Sequence, residues 1–119
     1  MRVLVIDDNE ELAVGIAEIL QIKDHEPYTA TNGQEGLEIA IANQPDIIFC
    51  DMQMPIMDGY ETLCEIRRHP ATANTPFILL TGRILTNSWE KFEAAGANSW
   101  LEKPFAYDIF FNIIDSYHP

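Results

Sequence analysis

The chain has no long hydrophobic run. Its longest apolar stretches, Val3–Ile6 and Ile47–Cys50, fall far short of the roughly 20 residues that a membrane-spanning helix needs, so no membrane segment is expected. Basic residues are scarce. Seven Lys and Arg stand against 19 Asp and Glu, for a formal net charge of −12. Direct nucleic-acid binding needs a basic patch to replace counterions, and this balance argues against it. Cysteine is nearly absent: Cys50 and Cys64 are the whole supply. Nothing in their placement asks for a disulfide, and both fit a reducing compartment. Cys50 lies inside an apolar run and reads as a buried free thiol. His25, His69 and His118 are scattered, and no His/Cys spacing resembles a zinc site. The opening Met1-Arg2 runs straight into Val3-Leu4-Val5-Ile6, without the apolar stretch of a signal peptide. A cytoplasmic protein is therefore expected.

What is present suits one folded unit. The 119 residues are the size of a single domain, expected to span 1–119. An apolar content of 47% supports a real core. Residues 3–6 (VLVI) form a β-branched run typical of a strand buried on both faces. Leu12, Ile16, Ile19 and Leu20 then recur at helical spacing, with Asp8 or Asn9 as the cap. Residues 26–30 (EPYTA) are a weaker strand, which Pro27 confines to an edge or a start. Asn32-Gly33 marks a turn, and Leu37, Ala40 and Ile41 mark a second helix. Residues 47–50 (IIFC) form a buried strand closed by Asp51. A loop with Pro55 and Gly59 leads to a third helix carrying Leu63 and Ile66. Residues 77–80 (FILL) form a fourth strand ending at Thr81-Gly82. The fourth helix is expected over about Asn87–Ala95, stopping at Gly96. The fifth strand is expected over Ser99–Leu101, and the last helix from Tyr107 to about Tyr117. Five strands alternate with five helices, with no repeats and no linker. That order means a parallel sheet covered on both faces.

In such a sheet, ligands bind outside the carboxyl ends of the strands, near the point where strand order reverses. Right-handed crossovers bring all those ends to one edge. Asp7 and Asp8 follow the first strand, Asp51 the third, Thr81 the fourth and Lys103 the fifth. Three carboxylates, a hydroxyl and an ammonium then share one rim. Crowded carboxylates repel unless a cation joins them, and an all-oxygen set suits a hard divalent ion such as Mg²⁺. No Ser, Cys or His nucleophile with a base partner stands at these strand ends, so the nucleophile is a carboxylate. Lysine and threonine there suit the charge and geometry of phosphoryl transfer.

These residues resemble those of the receiver domain of two-component response regulators. The matching pieces are Asp7-Asp8, Asp51 within Asp51-Met52-Gln53-Met54-Pro55-Ile56-Met57-Asp58-Gly59, Thr81-Gly82, and Lys103-Pro104-Phe105. They span essentially the whole chain. The resemblance implies a flavodoxin-like, doubly wound (βα)5 fold with strand order 2-1-3-4-5. It implies that Asp51 accepts a phosphoryl group from a histidine kinase or a phosphotransfer protein. It implies that Asp8 and Asp51 hold Mg²⁺ with the Gln53 main-chain carbonyl, while Asp7 acts through a metal-bound water. Lys103 would pair with the phosphoryl group and Thr81 would hydrogen-bond to it. Trp100, at the position where the family carries a switch aromatic, would move with Thr81. The face of the fourth helix, fifth strand and fifth helix would then meet a downstream protein, an output domain or a second copy. Arg83, two residues after Thr81, would point toward the site. Such a domain is not an enzyme in the ordinary sense, because it acts only on its own phosphorylation and dephosphorylation.

Plainer readings stand beside these. Asp7 and Asp8 could only cap a helix, Trp100 could be strand packing, and Met52, Met54 and Met57 could fill gaps. The last helix carries Ile109, Phe110, Phe111, Ile113, Ile114 and Tyr117. Either its core stripe is wide, or Phe111 lies off the stripe and meets a partner. A haloacid-dehalogenase-like phosphotransferase would carry a second aspartate two residues after its nucleophile, where this chain has Gln53. A nucleotide- or flavin-binding domain would need a Gly-rich first loop, where this chain has Asp7-Asp8-Asn9. A receiver that is never phosphorylated would lack a site residue, and none is missing.

Overall fold

Buried apolar runs at residues 3–6, 47–50 and 77–80 can only be satisfied inside a sheet with both faces covered. The computed structural model, which describes residues 1–82 and 88–118, has that architecture. Its elements are β1 (Arg2–Ile6), α1 (Glu10–Ile22), β2 (Glu26–Ala30), α2 (Gly33–Asn43), β3 (Ile47–Asp51), α3 (Gly59–Arg68), β4 (Phe77–Thr81), α4 (Trp89–Ala95), β5 (Ser99–Glu102) and α5 (Tyr107–Ser116). The five strands form one parallel sheet in the order β2-β1-β3-β4-β5. The expected flavodoxin-like winding is therefore present. Pro27 lies on β2, an edge strand, where its missing N–H is tolerated.

Side chains alternate across the strands and divide the core in two. Leu4, Ile6, Ile48, Cys50, Phe77 and Leu79 face α2, α3 and α4. Val3, Val5, Ile47, Phe49, Ile78 and Leu80 face α1 and α5. Phe110 is the centre of the second layer: fully buried, it lies 4.4 Å from the Phe49 ring and 5.6 Å from that of Phe105. Cys50 is a buried free thiol and Cys64 is also free. Met52 and Met54 pack against the first layer, as gap-filling residues would.

Three helix starts are set by side chains. Asn9, not Asp8, caps α1, accepting the Leu12 N–H; Asn32 caps α2 and accepts from Glu35. Asp58 caps α3 in a reciprocal capping box with Glu61. The expected start of the fourth helix at Asn87 lies outside the described residues, as does Arg83; the helix is described from Trp89. Phe111 follows the wide-stripe reading. It is half-buried, 5.4 Å from Phe110 and 6.1 Å from the His25 ring, and it seals the α5 side against the α1–β2 turn. The exposed apolar residues of α5 are Tyr107 and Ile109.

Candidate functional site

The register of the sheet brings the expected residues together. Ile6 pairs with Cys50, so Asp7 stands level with Asp51 on the neighbouring strand. Asp51 pairs with Leu80, and Thr81 with Glu102, which puts Thr81 and Lys103 one step further along the same edge. Parallel strands lie about 4.8 Å apart, so side chains on adjacent ends meet without any loop reaching across. Asp51, Met52, Gln53, Thr81, Gly82 and Lys103 line a cavity of about 310 Å³ at this edge.

Asp7 is fully buried and Asp51 is 8% exposed. Two carboxylates in such a place need compensation. Lys103 supplies it: its Nζ lies 2.8 Å from Asp7 Oδ2 and 3.4 Å from Asp51 Oδ1. The other Asp7 oxygen accepts the Asn9 N–H at 2.9 Å. Both Asp7 oxygens are thus occupied by protein donors, whereas Asp8 is exposed at the mouth of the site. Burial, and then the negative charge of Asp7, push the Asp51 carboxyl above its ordinary value, although Lys103 opposes them. For Lys103 the largest effect is burial, which lowers it. The Asp7 and Asp51 carboxylates outweigh burial and hold the ammonium above its usual range.

Carboxylate oxygens of Asp7, Asp8 and Asp51 all lie within 4.8 Å of one another. Every donor in this set is a hard oxygen, and one carboxylate faces solvent with room for water ligands. That donor set fits a hard divalent cation of the Mg²⁺ type, which keeps several waters and uses one or two protein carboxylates.

The loop after Asp51 is held at both ends. The Gly59 N–H donates to the Met52 carbonyl at 3.0 Å. A Cβ at position 59 would lie 2.5 Å from the Asp51 carbonyl oxygen and 2.8 Å from the Met52 Cα, so only glycine lets α3 begin this close to the end of β3. Between these anchors, the Met57 N–H donates to the Pro55 carbonyl at 2.8 Å, closing a three-residue turn around Ile56. Ile56 has φ +72° and is 79% exposed. The Lys103-Pro104 peptide is cis. Trp100 lies on β5 opposite Leu79, half-buried against the α2–α3–α4 core layer. Sequence reasoning missed the Asn9 contact to Asp7, the turn at Ile56 and the capping by Asp58. The last had a legible signal, Asp58 followed three residues later by Glu61.

Comparison with known proteins agrees with this geometry. Residues 3–115 match the response regulator receiver domain family, and the chain belongs to that family. Its members are signalling domains of two-component systems, characterised by phosphorylation on an aspartate with Mg²⁺. Among curated relatives, the transcriptional regulatory protein SrrA of Staphylococcus aureus is 34% identical over 106 residues, covering 88% of this chain and 42% of SrrA. Among solved structures, the chemotaxis protein CheY4 of Vibrio cholerae superposes with a TM-score of 0.92 at 30% identity, over 97% of this chain and 96% of that one. The receiver domain of the Pseudomonas aeruginosa sensor histidine kinase PA1611 has a TM-score of 0.88 at 27% identity, over 98% and 95% of the two chains. That structure has a magnesium ion coordinated in its active-site cleft. The chain spans between 4% and 52% of the length of the first curated relatives it matches. No helix among the described residues is long and apolar enough to cross a membrane.

Proposed function

We propose that residues 1–119 act as one receiver domain in which Asp51 is the phosphoacceptor. One observation carries the reading: a largely buried Asp51 carboxylate shares Lys103 with Asp7, next to Thr81, at the floor of an open cavity. A carboxylate oxygen of Asp51 attacks the phosphorus of a phosphohistidine in line. The P–N bond breaks, and the imidazole leaves with its electron pair. Lys103 is already within ion-pair distance of Asp51 and balances the charge that arrives, while the Thr81 hydroxyl donates to a phosphoryl oxygen. Asp8, Asp51 and the Gln53 main-chain carbonyl are the groups that would hold Mg²⁺, with Asp7 acting through a bound water. When bound, the ion neutralises charge on the phosphoryl oxygens.

The domain turns over no external substrate; it takes up and loses a phosphoryl group on itself. Gln53 supports this, because it stands where a second acid would promote turnover. The donor is a histidine kinase or a phosphotransfer protein. The altered face is that of α4, β5 and α5, with Thr81 and Trp100 as the moving side chains and Ile109 and Tyr107 as exposed apolar contacts for a downstream protein, an output domain or a second copy. The free cysteines and the class of donor fit a cytoplasmic setting.

Incubation with Mg²⁺ and acetyl phosphate, followed by intact-mass measurement, tests the reading. A gain of one phosphoryl group that is abolished in Asp51→Asn supports it. An unchanged mass with both the small donor and a cognate kinase would rule it out.

A further inference from the structure

Two loops carry groups assigned to the metal: Asp8 follows β1, and Gln53 lies between β3 and α3. The first turn of α2 meets both. On one side, Gly36 lies on Ile6, two residues before Asp8; a Cβ at position 36 would run into the Ile6 side chain, with Cγ1 at 2.7 Å. The Asp7 N–H donates to the Ala30 carbonyl at 2.9 Å, which ties the end of β2 to the same strand end. On the other side, Gly33 lies against the end of the Gln53 loop. A Cβ at position 33 would run into the Thr62 hydroxyl and lie 2.7 Å from the Met57 carbonyl oxygen and 3.0 Å from Met57 Cβ. Gly33 and Gly36 stand three residues apart, so one face of α2 makes both contacts.

Neither surface can give way cheaply. Thr62 is fully buried, and its hydroxyl donates to the carbonyl of Asp58, the α3 cap, at 2.7 Å. The hydroxyl is therefore held over Gly33 and turns away only by giving up that bond in a buried place. The entry to α2 is bonded in both directions. Asn32 Oδ1 accepts the Glu35 N–H at 2.8 Å, and Glu35 Oε1 accepts the Thr31 N–H at 3.2 Å. Close-packed contacts of this kind transmit a displacement instead of absorbing it.

We infer that the start of α2 is a spacer between the two metal-binding loops, with Gly33 and Thr62 as positioning residues that set where the Gln53 main chain stands relative to Asp8 and Asp51. Both act through Met57 and Asp58, at the far end of the Gln53 loop. The spacing bears on an ion of the Mg²⁺ type because that ion demands near-ideal octahedral geometry. The inference deepens the metal assignment made above and rests on it.

Mg²⁺ titration of the full chain, followed by amide NMR, tests the spacer. Gly33→Ala drives a methyl group into the Thr62 hydroxyl and the Met57 carbonyl and weakens Mg²⁺ binding about tenfold, the usual effect of disturbing groups that orient metal ligands. In a Thr62→Ala background, where the hydroxyl is gone, the same substitution weakens binding less. Thr62→Ser keeps the parent affinity and Thr62→Val does not, which decides the matter should Gly33→Ala fail to fold. Ile114→Val, in the opposite core layer, lowers the urea midpoint and leaves Mg²⁺ affinity unchanged. Parent affinity in both Gly33→Ala and Thr62→Val overturns the spacer alone, as does an equal loss in Ile114→Val or an equal effect of Gly33→Ala in both backgrounds. A parent chain that binds no Mg²⁺ overturns it together with the metal assignment.

Discussion

Replacing Lys103 with methionine removes a charge and keeps most of the apolar stem. In the folded chain the ammonium lies 2.8 Å from Asp7 Oδ2 and 3.4 Å from Asp51 Oδ1. At an effective dielectric constant near 20, unit charges at these separations attract by about 6 and 5 kcal/mol. Most of that is offset by the cost of removing the three groups from water. What survives is the penalty of leaving buried carboxylates without a partner, about 3–5 kcal/mol for a broken buried pair. Divided by a urea slope of about 2 kcal/mol per molar, this lowers the urea midpoint by about 2 M in chelator at neutral pH. The loss must depend on pH. Asp51 already titrates above its ordinary value because of burial and Asp7, with Lys103 opposing the shift. A carboxyl whose folded-state pKa is raised gives stability that is present at low pH and lost as pH rises through that pKa. Removing Lys103 raises it further. The Asp51 share of the Lys103→Met deficit is therefore smaller in acid, where Asp51 is protonated, than at neutral pH. A divalent cation restores part of it by supplying positive charge to the same carboxylates. An equal deficit at both pH values, insensitive to Mg²⁺, would mean that the stem and not the charge matters, and would refute the reasoning.

Other consequences follow from the same geometry. Asp51→Asn removes a carboxylate whose ionised form the fold disfavours, so in chelator at neutral pH it unfolds at a higher temperature than the parent, and the advantage disappears on acidification as Asp51 takes up its proton; scanning calorimetry across pH measures this. Gly59→Ala forces a Cβ into the Asp51 carbonyl and Met52 Cα, both main-chain atoms, and costs about 1–3 kcal/mol. Chemical denaturation measures that loss, and slower phosphorylation by acetyl phosphate accompanies it because the displaced atoms belong to the acceptor strand. Ile56→Gly relieves a β-branched residue at φ +72°; relief of about 1–2 kcal/mol, less the glycine entropy cost of about 0.5–1 kcal/mol, leaves a gain of roughly 0.5–1 kcal/mol in urea unfolding.

Much of the fold and of the site is legible in the sequence. Continuous apolar runs at residues 3–6 and 47–50 point to a sheet buried on both faces, and the alternation with helical spacing leaves a parallel sheet as the economical arrangement. Once the strands are parallel, the residue after each is at the same edge, so Asp7, Asp51, Thr81 and Lys103 meet without further information. What stayed hidden depends on distance and not on pattern. That Lys103 is shared between two carboxylates, and that Asn9 rather than a metal ligand occupies the second Asp7 oxygen, are facts of side-chain reach. For Phe111 the helical period leaves two readings open, a wide core stripe or a partner contact; the neighbouring α1–β2 turn, with His25, supplies the surface that the wide stripe covers. Ile56 was invisible because nothing in a β-branched residue predicts positive φ. The turn is imposed from outside, by Pro55 on one side and the Asp58–Gly59 start of α3 on the other.

The central claim is that Asp51 carries the phosphoryl group, and locating that group on the chain tests it most directly. The protein is labelled with acetyl phosphate and Mg²⁺, treated with borohydride to reduce the acyl phosphate to a stable alcohol, digested and sequenced by mass spectrometry. The account predicts a single reduced position, Asp51, with Asp7, Asp8 and Asp58 intact and no such product in Asp51→Asn. Reduction at another carboxylate, or a phosphoryl group retained on a histidine, would contradict it.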